Sequence, residues 1–516
     1  MSLKEAEDNV ISQTNAIPAT MSVVSQEISP VNVSQNKVRF VLEPKGILSK
    51  DSVLQFTILS SGVSGTAYLP LSAGIFALIK RATMSINGKV INTQNDLGFF
   101  KGITSSYDTP SYRNQVSSLL YGINTCLQPM ASFSTNPQIG KFVFSNTEVD
   151  RLSNTASSYV FKKNMFHTNN ADTCPSHSIY LKDLFPILEL IELPMFLLNN
   201  PVVIDLELNT QSNITADYGK VLCNNPTNVG NLVGVASSLE LNDVKLYLDT
   251  IYYNNEKMEE VAKSVNAREG LYMPFHSVIE NQALHTPSTP PVNEVSEVTK
   301  TDQIPMSNFR VKNIFCAFTS NNFNVTTMPV NPLLSYYQNG TDQYLGKYSL
   351  LNFVKPSQIQ YRVNDTLLFN QPLQSDTHKA SEASYVYNSP IYLNTGLWSP
   401  DCASTKNGAF VVPAVNNPFP SGTELFLNSQ SSTMDNLLGK TFFNAINLGV
   451  GLGNENDDAE LINQKPIEVT HKNFYSRTSN YTNLVARYYC EVIMNFGIRD
   501  GQIELVRGTP MKIPSV

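Results

Sequence analysis

The sequence is short of charge, of tryptophan and of any long apolar run, and each shortage removes a class of function. Charged residues make up 15% of the 516 and hydrophobic ones 41%, which is not the Lys-, Glu- and Ala-rich profile of a helical protein. Net charge is only -7 and basic residues cluster no further than Lys80-Arg81 and Lys162-Lys163, so sequence-specific nucleic-acid binding is not expected. No window reaches the roughly 18 consecutive apolar residues of a membrane span. The opening MSLKEAEDNVISQTNAIPATMSVVSQ carries acids and no apolar core, unlike a secretory signal. Cys126, Cys174, Cys223, Cys316, Cys402 and Cys490 are scattered without a CxxC pair and are expected to be reduced and mostly buried. The single tryptophan, Trp398, argues against an aromatic platform for sugars.

Signatures of catalysis are equally sparse. Neither GxSxG nor HExxH occurs, and the glycine-rich LGVGLGN at 448–454 runs into NENDDAEL, whose four acids would repel a phosphate instead of cradling it. Cys174-Pro-Ser-His177 supplies two candidate ligands where zinc takes about four. His167, His276, His285, His378 and His471 lie in polar stretches, where surface or hydrogen-bonded roles are the expectation. Asp457, Asp458 and Glu460 lack the alternating ligands and turn glycine of a calcium loop. Asp205 and Glu207 share one face of a strand, roughly 7 Å apart, a spacing compatible with glycosidase carboxylates but equally with the wet face of an amphipathic strand. No catalytic, cofactor-binding or metal-binding residue, and no cofactor, is therefore expected.

What is abundant points to β-structure. With 29 Pro, 25 Gly and many Asn, Ser and Thr, the chain suits strands joined by long polar loops, and about one domain per 150 residues gives two to four domains. Residues 1–35 lack periodicity and are expected to be a flexible tail. Val202, Ile204, Leu206 and Leu208 alternate with polar residues, as on a strand with one wet face. Leu181–Leu190 has helical spacing, Pro194 and Pro201 bracket MFLL, and DLGFFKGITSSY and EKMEEVAKSVNAREG are candidate helices. The Pro- and Thr-rich stretch 284–305 is expected to be an exposed loop.

The chain also repeats itself. MSINGKVIN at 84–92 and YRVNDTLLFN at 361–370 each place an alternating run before Asn87-Gly88 or Asn364-Asp365, residues that accept the positive φ of a two-residue hairpin turn. Long Tyr-rich strands follow in the same order, VKLYLDTIYYN at 244 and ARYYCEVIMNF at 486. Two landmarks recurring in order imply two successive sandwiches of one plan. The expected fold class is all-β, two tandem eight-stranded jelly-roll sandwiches with long loops and a few short helices. The expected division is a tail at 1–35, a first roll at 36–255, a connector and exposed loop at 256–307, and a second roll at 308–516.

LKDLFPILELIELPMFLLNNPVVIDLEL and GIFALIKRATMSINGKVIN resemble the first roll of double jelly-roll major capsid proteins, of the virophage, Polinton-like and related eukaryotic DNA virus lineage. IQYRVNDTLLFNQPL and ARYYCEVIMNFGIRDGQIEL carry the likeness into the second roll. The resemblance implies a homotrimeric, pseudo-hexagonal capsomer in an icosahedral shell around double-stranded DNA, assembled inside the host cell. Its implied partners are copies of itself, neighbouring trimers, penton and minor capsid proteins and, as a further candidate, an internal membrane. The insertions at 284–305 and 371–435 would form outward turrets. A tandem-sandwich adhesin or glycan-binding protein is the alternative, and a sandwich enzyme ranks third.

Overall fold

The structure is a computed structural model, and it describes residues 21–34, 37–61, 66–68, 74–104, 116, 120–121, 165–167, 176–209, 238–267, 270–285, 299–320, 356–373, 445–448, 459–474 and 484–507. The first half supplies β1 (Ser22–Ile28), β2 (Asn32–Ser34), β3 (Lys37–Leu42), β4 (Ile47–Leu48), β5 (Val53–Ser61) and β6 (Thr66–Tyr68). It continues with β7 (Ile79–Ile86), β8 (Lys89–Asn95), β9 (Met165–His167), β10 (Ser176–Tyr180), β11 (Val202–Leu208) and β12 (Ser238–Tyr252). Among them lie the helices α1 (Leu97–Thr104), α2 (Leu181–Leu184) and α3 (Ile187–Leu190), and α4 (Asn255–Ala267) follows. The second half supplies β13 (Leu271–His285), β14 (Thr299–Ile304), β15 (Arg310–Ser320), β16 (Pro356–Val363) and β17 (Thr366–Leu367). It ends with β18 (Ala445–Asn447), β19 (Glu460–Leu461), β20 (Ile467–Phe474), β21 (Leu484–Arg499) and β22 (Gln502–Arg507).

These strands form two pairs of antiparallel sheets, apart from a small β6-β9 ladder. The first pair has the orders β1-β12-β5-β10 and β2-β3-β11-β7-β8, the second β13-β21-β15-β18 and β14-β20-β16-β17. Replacing β1, β12, β5 and β10 by β13, β21, β15 and β18 turns one sheet into the other. The same holds for β3, β11, β7 and β8 against β14, β20, β16 and β17. The repeat foreseen from two hairpins and two long strands therefore extends to the strand order of both sandwiches.

Alternation makes each core. Val38, Phe40 and Leu42 of β3 face inward beside Val202, Ile204 and Leu206 of β11, and Ile359, Tyr361 and Val363 of β16 do the same beside Ile467 and Val469 of β20. Each such aliphatic side chain, fully buried, contributes about 1.5–3 kcal/mol. Cys316 and Cys490 are buried, neither forms a disulfide, and burial pushes the Cys490 thiol up to about 12. The other four cysteines lie outside the described residues.

Among the described residues, three hairpins turn on two residues with positive φ: Asn87-Gly88, Asn364-Asp365 and Asp500-Gly501. The third carries a plain Asp-Gly signal. Asp365 stands where the other two turns have glycine, and the Asn364 side chain braces the turn, donating to the Leu461 carbonyl at 2.8 Å and accepting from the Asn463 N–H at 2.8 Å. The glycines differ in a testable way. A Cβ at Gly88 would meet nothing within 4 Å, whereas one at Gly501 would fall 2.2 Å from the Asn199 amide. Gly88→Ala is expected to cost only the left-handed backbone penalty, about 1–2 kcal/mol. Gly501→Ala carries the same penalty plus displacement of Asn199. Chemical denaturation of the two variants side by side checks the order.

Several expectations need correction. Part of the expected tail is sheet: β1 pairs with β12 and β2 with β3, while residues 1–20 lie outside the described residues. The expected connector at 256–307 does contain the helix α4, but β13 and β14 belong to the second pair of sheets, and Ile304 is fully buried. Leu181–Leu190 is two four-residue helices, because Pro186 follows the extended Phe185 and cannot continue the ladder. The insertion at 371–435 and most of 284–305, the glycine-rich 448–454, Cys174, His378 and Trp398 fall largely or wholly outside the described residues.

Candidate functional site: the seam between the two sandwiches

No catalytic constellation was expected, and the polar residues that do converge lie between the two sandwiches and inside the second. The seam begins at the hairpin β7-β8. From β8 the chain passes Asp96, whose φ is +41, into α1, where Phe99 N–H donates to the Asp96 carbonyl at 2.9 Å. This turn presents Asp96, Phe99 and Phe100 together to the outer face of the sheet β13-β21-β15.

On that face Arg487, Tyr489 and Glu491 alternate along β21. The Arg487 guanidinium lies 3.9 Å from the centre of the Phe99 ring, 3.5 Å from the Asp96 carboxylate, and in direct contact with Glu280 of β13. Burial works against the charge on Arg487, but Tyr489, Glu280 and Asp96 outweigh it and hold its pKa above the ordinary value. For Glu280 burial wins, and its carboxyl is pushed up despite Arg487. Phe100 wedges between Tyr489 and Phe315, ring centres 5.4 and 5.6 Å away, adding aromatic contacts worth about 0.5–1.5 kcal/mol each beyond area.

Further along the seam, His276 Nδ1 lies 2.8 Å from Glu491 Oε1, and Asn313 donates to the other carboxylate oxygen. Burial opposes ionisation of Glu491, yet these hydrogen bonds and the nearby charges of His276 and Lys312 hold its carboxyl below the usual range. At the edges Asn92 donates to Ser277 at 3.4 Å, Lys89 to the Ile503 carbonyl at 3.2 Å, and Asn199 N–H to the Gly501 carbonyl at 3.1 Å. The result is a polar, aromatic joint with fixed geometry, suited to setting one sandwich against the other.

Inside the second sandwich a second cluster joins its two sheets. Asp302 of β14 lies 2.6 Å from His285 Nε2 and accepts from the Tyr488 hydroxyl, and His471 Nε2 lies 2.7 Å from that same hydroxyl. Burial opposes its charge, but the hydrogen bonds from His285 and Tyr488 and the nearby histidines hold the Asp302 carboxyl below its ordinary value. Tyr488 is pushed well above its usual range, chiefly by burial. Of the histidines expected in surface or hydrogen-bonded roles, His285 and His471 are buried and hydrogen-bonded and His276 is in the seam, so it is the polar-stretch surroundings that are corrected; His177, paired in sequence with Cys174, is also buried.

The carboxylates singled out from sequence have structural roles. Asp205 receives two hydrogen bonds from Arg39, at 2.7 and 2.9 Å, and lies 3.4 Å from Lys37. Glu207 lies 2.8 Å from Lys80 and 2.9 Å from Arg81, and the Lys80 hydrogen bond in particular holds its carboxyl low. Both are cross-strand ion pairs on the outer face of β11. Among the described residues no group of three or more His, Cys, Asp or Glu is arranged to hold a metal ion.

The fold is all-β, two jelly-roll sandwiches in tandem within one chain. It is shared with a chain of the PBCV-1 virus capsid, with a TM-score of 0.50 at 11% identity over 96% of this chain and 98% of that one. A chain of the Sputnik virophage structure gives 0.51 at 10% identity over 97% and 92%. No protein-family model and no curated protein matches the sequence.

Proposed function

We propose that the protein is the major capsid protein of a double-stranded DNA virus, acting as a homotrimeric tile of an icosahedral shell. The supporting observation is one chain holding two sandwiches of identical strand order, locked by a covered seam, in a fold shared with a virus capsid chain. Three such subunits present six similar lobes, so a threefold object acquires a nearly hexagonal outline and can pack in a plane. In this reading α4 links the rolls, the long insertions face outward, and the remaining partners are neighbouring trimers, penton and minor capsid proteins, and an internal membrane where one exists. Catalysis has no part in it.

Light scattering of the purified protein is the test, with an expected mass near three times 57.2 kDa and six-lobed particles in negative stain. A monomer that binds immobilised glycans would overturn the proposal in favour of the adhesin reading.

A further inference from the structure

The three hairpin turns with positive φ share a backbone form and differ in what holds them. In each, an Asn or Asp precedes a residue whose main-chain nitrogen can attack the side-chain carbonyl carbon and close a five-membered imide. Closure requires the turn to leave its native dihedrals for a moment, so its rate at each turn follows the free energy of local opening.

Asp500-Gly501 is clamped. Asn199 donates through its side chain to the Asp500 carbonyl at 3.0 Å and through its main chain to the Gly501 carbonyl at 3.1 Å, and Gly501 is buried. Six residue pairs without a register shift tie β21 to β22 below the turn, and the group to be attacked is a carboxylate, a poor electrophile. Asn364-Asp365 is braced. Besides its bonds to Leu461 and Asn463, the Asn364 amide donates to Glu460 at 2.9 Å, and the attacking nitrogen belongs to a residue whose own side chain is held by Lys465.

Asn87-Gly88 has neither kind of support. Both residues are exposed, and the space where a Cβ on Gly88 would stand is open to 4 Å. The Asn87 amide reaches Gln502 at 3.5 Å, too long for a strong hydrogen bond. Two pairs, Ile86 with Lys89 and Ser85 with Val90, separate the turn from a register shift in the ladder.

We propose that Asn87 is a site of spontaneous deamidation in the folded protein. The Gly88 nitrogen gives up its proton to water and bonds to Asn87 Cγ, the bond from Cγ to Nδ2 breaks, and Nδ2 takes up a proton and leaves as ammonia. Water then opens the imide at either carbonyl. One opening leaves aspartate at 87, and the other leaves isoaspartate, with the main chain rerouted through Cβ and Cγ. Either product places a carboxylate at the edge of the joint, two residues before Lys89, which bonds the Ile503 carbonyl. The chemistry needs only the folded chain and water, and no capsid.

The test holds purified protein for weeks in mildly alkaline buffer, native and in urea, followed by peptide mass mapping. Mapping separates Asn87 from the Asn-Gly pairs at 339 and 407, which lie outside the described residues. In the native protein the Asn87 peptide is expected to exchange ammonia for water and split into two products of equal mass. Asp365→Gly gives the braced turn the same dipeptide as the open one. In that variant urea is expected to convert Asn364 and Asn87 at similar rates, and the native fold to slow Asn364 many-fold more than Asn87. An Asn87 amide that survives in the native protein while urea converts it overturns the proposal. So does a native Asp365→Gly chain that loses the Asn364 amide as fast as the Asn87 one.

Discussion

Replacing Arg487 with alanine is expected to loosen the joint between the sandwiches more than any other single change at the seam. The substitution leaves Glu280 and Asp96 facing each other without their shared cation and removes the charge stacked on Phe99. Truncating one partner of a buried ion pair costs about 3–5 kcal/mol, most of it the penalty on the charge left behind. Arg487→Lys is expected to fall between, since lysine keeps the charge but not the planar group that stacks and forks. The effect has a defined sign with pH. Burial already raises Glu280, so without Arg487 its carboxylate is costly at high pH and the cost is relieved as it takes up a proton. The deficit of Arg487→Ala is therefore expected to be larger at about pH 8 than at about pH 5. Thermal melts at the two values, with hydrogen exchange read at α1 and β13, measure it.

Asp302→Ala is expected to produce the second large loss. The carboxylate accepts from Tyr488 and bonds His285 inside a sandwich where Tyr488 and His471 are almost wholly buried. Each buried polar group deprived of its partner costs about 1–3 kcal/mol, and breaking the network costs about 3–5 kcal/mol. Asp302→Asn, which retains an acceptor, is expected to lose less. Because the folded-state pKa of Asp302 lies below its unfolded value, its contribution is complete above the ordinary carboxylate pKa of about 3.9 and fades as pH falls through the lowered value. The gap between wild type and Asp302→Asn should narrow as pH falls below about 4. A urea titration at stepped pH tests this. A gap that is already closing near pH 6 would contradict the assignment.

The parts of the fold legible in the sequence were those with a local cause. Asn87-Gly88 and Asn364-Asp365 announced their hairpins because few residues tolerate positive φ, and β11 announced itself through strict alternation. The strands that went unread have equally physical reasons. β1 and β2 are exposed on nearly every residue, so SVVSQEI carries no two-residue period. β13 contains Pro274, which argues against a central strand, but β13 lies at a sheet edge, where a missing N–H is tolerated. Asp302, His285 and His471 looked like loop residues because a short-range pattern cannot reveal that three separated strands will enclose them. The seam was hidden for a related reason. Glu280, Arg487 and Glu491 have the look of a wet face, and it takes the other sandwich to cover them.

The two buried thiols have a consequence under the proposed capsid role, in which the particle leaves a reducing interior for oxidising surroundings. Thiolate, not thiol, reacts with oxidants and disulfides. With its pKa near 12, Cys490 stays protonated across any natural milieu, and Cys316 is shut away from reagents beside it. At these two positions the transit should leave no covalent mark.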